Sequence, residues 1–292
     1  MASDILTYQV ADFCFSVEGM PFEPANMQPF KVEQEDKELI FHLRVVPDFP
    51  LTDATLLYKS PGSPGFPVIA LYSLPNGYLF EMQSLSNKPI AGKLVTNSSF
   101  SYAELKMTGY DINYAINTAM MLLFTFNTAQ KGALEMHSSV VLKDEKGYLF
   151  LGKSGTGKST HSQLWLKHIP GTELLNDDNP VLRLLPDRSV RVYGSPWSGK
   201  TPCYKAKNAP VGAIVQLYQA PHNIIERLPV ANAYASLMGS ASSFRPIKPF
   251  SDGWHCTMEG ICATIPFYRL GCLPDKDAAT LCYQTVIINN SK

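Results

Sequence analysis

The chain has 292 residues, 45% of them hydrophobic and only 17% charged, which excludes a disordered polypeptide and leaves room for one large domain or two ordinary ones. Lys plus Arg balances Asp plus Glu at 25 each, so no net field favours DNA, RNA or an anionic membrane surface as a partner. The first thirty residues hold no Lys or Arg, and so no positive region of a signal peptide. The longest strongly apolar run, Ala119 to Phe126, is too short to span a bilayer. The six cysteines form no CxxC pair, which predicts ordinary thiols and a cytoplasmic protein.

Residues 1 to about 108 read as strands divided by turns. Apolar and polar residues alternate in ILTYQV, KELIFHLRVV, TLLYKS, FPVIALYSL and GYLFEMQSL, and the Asn-Gly of LPNGY marks a hairpin. This pattern predicts a small, mainly-β accessory domain with a half-buried antiparallel sheet. A helix follows over roughly Asp111 to Gln130, with Ile112, Ala115, Ile116, Ala119, Leu122 and Leu123 on one stripe. It is read as a linking segment, 109–132.

From residue 133 to 292 strands and helices alternate: ALEMHSSVVLKD, a DEKG turn, GYLFLG, a helix over Lys158 to Lys167, the short strand ELLND, then RVYGSP and VGAIVQLYQA. Such alternation predicts an α/β core. Between GYLFLG and the helix, Gly152-Lys-Ser-Gly-Thr-Gly-Lys158-Ser159 fits the phosphate-loop pattern G-x-x-x-x-G-K-[ST] in full. Gly152, Ser154, Gly155, Thr156, Gly157 and Thr160 belong to the loop and the first helical turn. There, backbone N–H groups and the positive helix end can meet a polyphosphate. Lys158 can reach the outer phosphates, and the Ser159 hydroxyl can ligate Mg²⁺.

Nineteen residues beyond Lys158, an apolar run ends in Asp177-Asp178, a pair able to divide metal binding and proton acceptance at a strand end. His137 lies fifteen residues before Gly152 on the preceding strand. Further on, GSPWSGKTPCYK reads either as a surface turn with a half-buried Trp197 or as a loop closing over substrate with Lys200 facing phosphate, and Arg245 either as a surface residue or as a source of transition-state charge. Trp254, His255 and Glu259 form a mixed cluster that packing alone accounts for.

Taken in order, EMHSSVVL with His137, GKSGTGKST, Asp177-Asp178 and the later GSP turn resemble the bacterial HPr kinase/phosphorylases. That family shares its P-loop fold with the ATP-dependent phosphoenolpyruvate carboxykinases. The resemblance covers about 133–200 and implies a kinase domain over 133–292, preceded by an unrelated domain over 1–108. It implies His137 near the γ-phosphate, Ser159 and Asp178 on Mg²⁺, and Asp177 as the acid/base. The chain has no E-[IV]-R-G stretch after the acidic pair, so the resemblance does not extend to HPr as substrate.

The function expected is ATP- and Mg²⁺-dependent transfer of a phosphoryl group to a hydroxyl, with serine the first candidate, on an unidentified protein or small molecule. Two other functions fit the same residues: a nucleotide-gated regulator with weak catalysis, and a carboxykinase-like enzyme needing arginines around a small dicarboxylate. A homo-oligomer is compatible with all three.

Overall fold

The computed structural model describes residues 5–33, 37–50, 53–199, 201–242 and 247–288. The protein is mixed α/β with two large sheets, and it divides into two compact units, one on Met1–Thr128 and one on Ala129–Phe244 with Pro249–Lys292.

The first unit carries β1 (Ile5–Val10), β2 (Phe13–Glu18), β3 (Lys31–Val32), β4 (Leu39–Val46), β5 (Thr55–Lys59), β6 (Val68–Leu74), β7 (Gly77–Gln83), β8 (Gly92–Asn97), β9 (Tyr102–Met107) and α1 (Ile112–Thr128). The strands form one sheet in the order β3-β1-β2-β4-β9-β8-β7-β6-β5. Alternation produces the buried face as period two requires: along β8, Gly92, Leu94 and Thr96 are buried while Lys93, Val95 and Asn97 are not. The LPNGY hairpin joins β6 to β7 with Leu74 opposite Gly77.

One expectation changes. The sheet is not wholly antiparallel, because β4 runs parallel to both β2 and β9. Alternation reports which face of a strand is buried and carries no information on its direction.

Helix α1 packs on β4, β7, β8 and β9. It approaches closely at Gly92, where a Cβ would lie 3.0 Å from that of Ala115. Phe126 stacks on Phe100 with centroids 4.3 Å apart and also meets Phe80 at 5.7 Å.

The second unit contains β10 (Ala133–Glu135), β11 (Ser138–Lys143), β12 (Lys146–Leu151), α2 (Lys158–His168), β13 (Glu173–Asp178), β14 (Val181–Leu184), β15 (Val190–Tyr193), β16 (Asn208–Gln219), β17 (Ile224–Arg227), α3 (Val230–Met238), α4 (Lys248–Thr264), β18 (Phe267–Cys272) and α5 (Lys276–Tyr283). Its main sheet runs β13-β11-β12-β16-β18-β17, with β12, β16 and β18 parallel. The 12-residue strand β16 also pairs through its first residues with β15, joining a β10-β14-β15 meander to the sheet.

Helices α2 and α5 contact each other, and residues of both join one apolar cluster. Tyr148, Phe150, Trp165, Val215, Leu217, Leu270 and Cys282 belong to it, and the fully buried Trp165 ring meets Tyr148, Phe150 and Tyr283. This packing fixes where the N-terminus of α2 stands relative to the ends of β12 and β13. All six cysteines are free thiols. Among the described residues no helix is long and apolar enough to cross a membrane.

Candidate functional site

Strand register brings the distant sequence positions together. Ser138, which opens β11, is paired on one side with Leu151 at the end of β12 and on the other with Asp178 at the end of β13. His137 precedes Ser138, so it stands at the edge where the glycine-rich loop leaves β12 and the acidic pair ends β13. Its own backbone is held by the Ser240 carbonyl, with N–H to O at 2.7 Å.

Between β12 and α2 the chain makes a tight loop with Thr156 N–H bonded to the Lys153 carbonyl at 3.1 Å. Gly155 and Gly157 have φ of +80° and +108°, conformations that glycine adopts without the penalty a Cβ brings. Gly157 caps α2 and offers no side chain to it. The first-turn N–H groups of α2 therefore face outward at the positive end of an 11-residue helix.

Five side chains meet at this end of the sheet. Lys158, 9% exposed as a residue, donates through its ammonium to the Gly152 carbonyl at 3.0 Å and lies 3.1 Å from His137 Nε2. His137 Nε2 is in turn 3.2 Å from Asp178 Oδ1. The Ser159 hydroxyl donates to Asp177 Oδ1 at 2.9 Å. Desolvation pulls the Lys158 ammonium below its ordinary range, and the nearby Asp178 and Asp177 carboxylates oppose that pull.

The acidic pair is held from behind. Asn176, fully buried, donates to the carbonyl and hydroxyl of Ser195 at 3.3 Å and accepts from the Asn179 N–H at 3.0 Å. Gly199 N–H bonds the Asp177 carbonyl at 2.7 Å, and a Cβ on Gly199 would come within 2.9 Å of Asp178 Cβ. Asp178 has φ of +141°, a strained value for a residue with a side chain and one that structures retain where surroundings over-determine it.

The two carboxylates thus differ in setting. Asp177 is 4% exposed and faces Ser159, whereas the Asp178 side chain, 38% exposed, faces His137. Among the described residues no cluster of three or more His, Cys, Asp or Glu side chains could hold a metal by itself. The donor set at the loop is a hydroxyl and carboxylates, hard oxygens of the kind that share Mg²⁺ with phosphate groups and water. Those residues fit the ion.

Other sequence candidates take different places. Trp197 is buried at 5% exposure in a turn where its N–H and carbonyl both meet the Ser195 hydroxyl, and so it supports the chain behind the acidic pair. Lys200 and Arg245 lie outside the described residues. Trp254 is buried, His255 bonds Tyr234, and Glu259 is exposed. Of the arginines a dicarboxylate would need, Arg191 is taken up by Asn208 and Arg183 stands over the Tyr193 ring.

Sequence reasoning quoted the GSP turn without giving Ser195 or Gly199 a role, and it passed over Asn176. Asn176 did carry a signal, as a buried amide interrupting an apolar strand just before two carboxylates. It also passed over His161, which is 2% exposed and accepts from Trp165 Nε1 at 3.1 Å, four residues along α2. Burial holds the His161 imidazole down to about 4.

No protein-family model matches the chain. No curated protein matches it either. Among solved structures it has a distant neighbour described as the Hpr(Ser) kinase/phosphatase from Coxiella burnetii, at 13% identity and a TM-score of 0.32, covering 54% of this chain and 95% of that one.

Proposed function

We propose that the protein is an ATP- and Mg²⁺-dependent phosphotransferase acting on a hydroxyl of a protein or small molecule. One observation carries this reading: a full phosphate-loop sequence whose Lys158 and Ser159 lie within hydrogen-bond reach of His137 and of a paired carboxylate. Loop N–H groups and Lys158 would bind the phosphates, Lys158 exchanging its Gly152 carbonyl for phosphate oxygen. Mg²⁺, when bound, would neutralise charge on the transferring group.

Ser159 and the Asp177 carboxylate it faces would hold that ion, because they already stand together. Asp178 would then take the proton from the acceptor hydroxyl as the new O–P bond forms and the nucleoside diphosphate departs. His137, between Asp178 and Lys158, would orient the carboxylate. This division of the acidic pair differs from the one implied by family resemblance, which set Asp178 on the metal and Asp177 as the acid/base. The burial of Asp177 and its bond to Ser159 favour the exchange of roles.

Incubation with γ-labelled ATP, Mg²⁺ and cell extract tests the proposal. Label should move to an acceptor in a Mg²⁺-dependent way and fall roughly 10²–10⁴-fold in Asp178→Asn. Absence of transfer to any acceptor while ATP still binds would overturn it.

A further inference from the structure

Asp178 has a partner at each of its two oxygens. Oδ1 lies 3.2 Å from His137 Nε2, and Oδ2 accepts from the side-chain amide of Asn179 at 3.2 Å. Facing a carboxylate, an amide side chain can bond only through its NH₂ group, which always carries its protons. Asn179 therefore donates whatever the state of the histidine. An ionised carboxylate has about four lone-pair sites, so these two partners leave room for the proton of an acceptor hydroxyl.

The backbone of Asn179 is fixed by two groups that water does not reach. Its N–H donates to Asn176 Oδ1 at 3.0 Å, and its carbonyl accepts from the Ser195 hydroxyl at 2.5 Å. Asn176 and Ser195 are both fully buried. The Ser195 oxygen also accepts from the Asn176 amide at 3.3 Å and from the Trp197 N–H at 3.2 Å. With both lone pairs taken, the single proton of that hydroxyl is left for Asn179.

Pro180 narrows the choice further. A residue ahead of proline is pushed out of the helical region, which limits the directions open to Asn179. The carbonyl of the buried Pro180 accepts from the N–H of Met136, the neighbour of His137, at 3.0 Å. The two partners of Asp178 thus ride on segments bonded to each other, while Asp178 itself pairs with Ser138. Only the backbone of residue 179 enters the turn that Asn176 and Ser195 hold, so aspartate would serve that turn as well as asparagine. The contact with Asp178 Oδ2 requires the amide.

Resting on the phosphotransferase reading with Asp178 as proton acceptor, we infer that Asn179 is a positioning residue for the reaction. Together with His137, its amide fixes the rotation of the Asp178 carboxylate, so that a free lone pair is presented to the acceptor hydroxyl. The hydroxyl proton passes to Asp178 as its oxygen bonds to phosphorus, and the nucleoside diphosphate leaves with the electron pair of the broken P–O bond. Asn179 acts only through Asp178 and exchanges no proton.

Asn179→Ala and Asn179→Asp test the inference, through rates of transfer from γ-labelled ATP in Mg²⁺ and cell extract, calorimetric titration with ATP, and thermal unfolding. Aspartate keeps the size and backbone bonds of residue 179 but sets a like charge against Asp178 in place of a donor. The maximal rate should fall roughly tenfold or more in Asn179→Ala, as loss of a hydrogen bond to a charged group implies, and at least as far in Asn179→Asp. In Asn179→Ala the KM and affinity for ATP and the unfolding midpoint should stay near those of the unaltered protein. An undiminished rate in Asn179→Ala, Asn179→Asp faster than Asn179→Ala, or a rate loss in Asn179→Ala matched by weaker ATP binding or earlier unfolding would each overturn the positioning role and leave residue 179 to the turn. An unaltered protein that binds ATP yet labels no acceptor would instead sink the phosphotransferase reading, and the positioning role with it.

Discussion

The two units spend their buried polar groups differently. In the first, the buried polar side chains among the described residues are hydroxyls: Thr7, Ser16, Thr96, Thr118, Thr125 and Thr128. Helical ones among them return their proton to the backbone, as Thr125 does to Met121 and Thr128 to Phe124. In the second unit Glu135, Lys158, His161, Asn176 and Asp177 are buried as well. Burying an ammonium, a carboxylate and an imidazole costs far more than burying a hydroxyl. Three of those five, Lys158, Asn176 and Asp177, lie in the loop–β13 corner and bond to groups within it. A chain that concentrates costly groups at one sheet end, beside a strained Asp178, carries there a cost that packing alone does not account for.

The sharpest way to break this contrast is to damage packing alone. Phe126→Ala should destabilise the first unit by about 3–5 kcal/mol, read by denaturant titration, because it empties a stack between Phe100 and Phe80. A loss under about 1 kcal/mol would show that the aromatic stack is not what holds α1 to its sheet.

Acid should act on the second unit instead. The folded state holds His161 near 4 against an ordinary 6.5, so below 6.5 the unfolded chain binds the extra proton. The contribution is fully present above pH 6.5 and is lost as pH falls to about 4, amounting to roughly 3 kcal/mol. In His161→Phe this part of the acid slope should vanish; an unchanged slope would assign it to other groups.

A smaller effect is expected at Ser139, whose hydroxyl is 2.6 Å from that of Ser162 and ties β11 to α2. Ser139→Ala should cost about 1–3 kcal/mol in thermal unfolding by orphaning its partner, and a neutral result would mean that Ser162 finds another acceptor. Smallest of all, Lys93→Ala removes a 2.7 Å ion pair with Glu81 at the surface of the first unit. Its stability should shift by less than about 1 kcal/mol, and a larger change would mean that surface pairing matters there more than packing.

Much of the fold is legible in local pattern. Alternation marked β1, β4, β6 and β7, and apolar spacing marked α1, because a residue's burial follows from its period; β5 was marked in the same way, yet all five of its residues are exposed. β8 escaped notice although Gly92, Leu94 and Thr96 alternate cleanly, since Gly and Thr do not register as apolar. β18 and α5 escaped because their short, mixed stretches resemble loop until parallel pairing with β16 and packing on α2 define them.

For the candidate site, residue type and order alone carry a phosphate-loop pattern, a histidine ahead of it and two adjacent carboxylates behind. Those are local or ordered features, written in residue type and spacing. Which carboxylate faces Ser159 and which faces His137 were decided only in three dimensions. The physical reason is register. Pairing of β11 with both β12 and β13 sets Asp177 inward and Asp178 outward, a difference of one residue that spacing along a chain does not resolve.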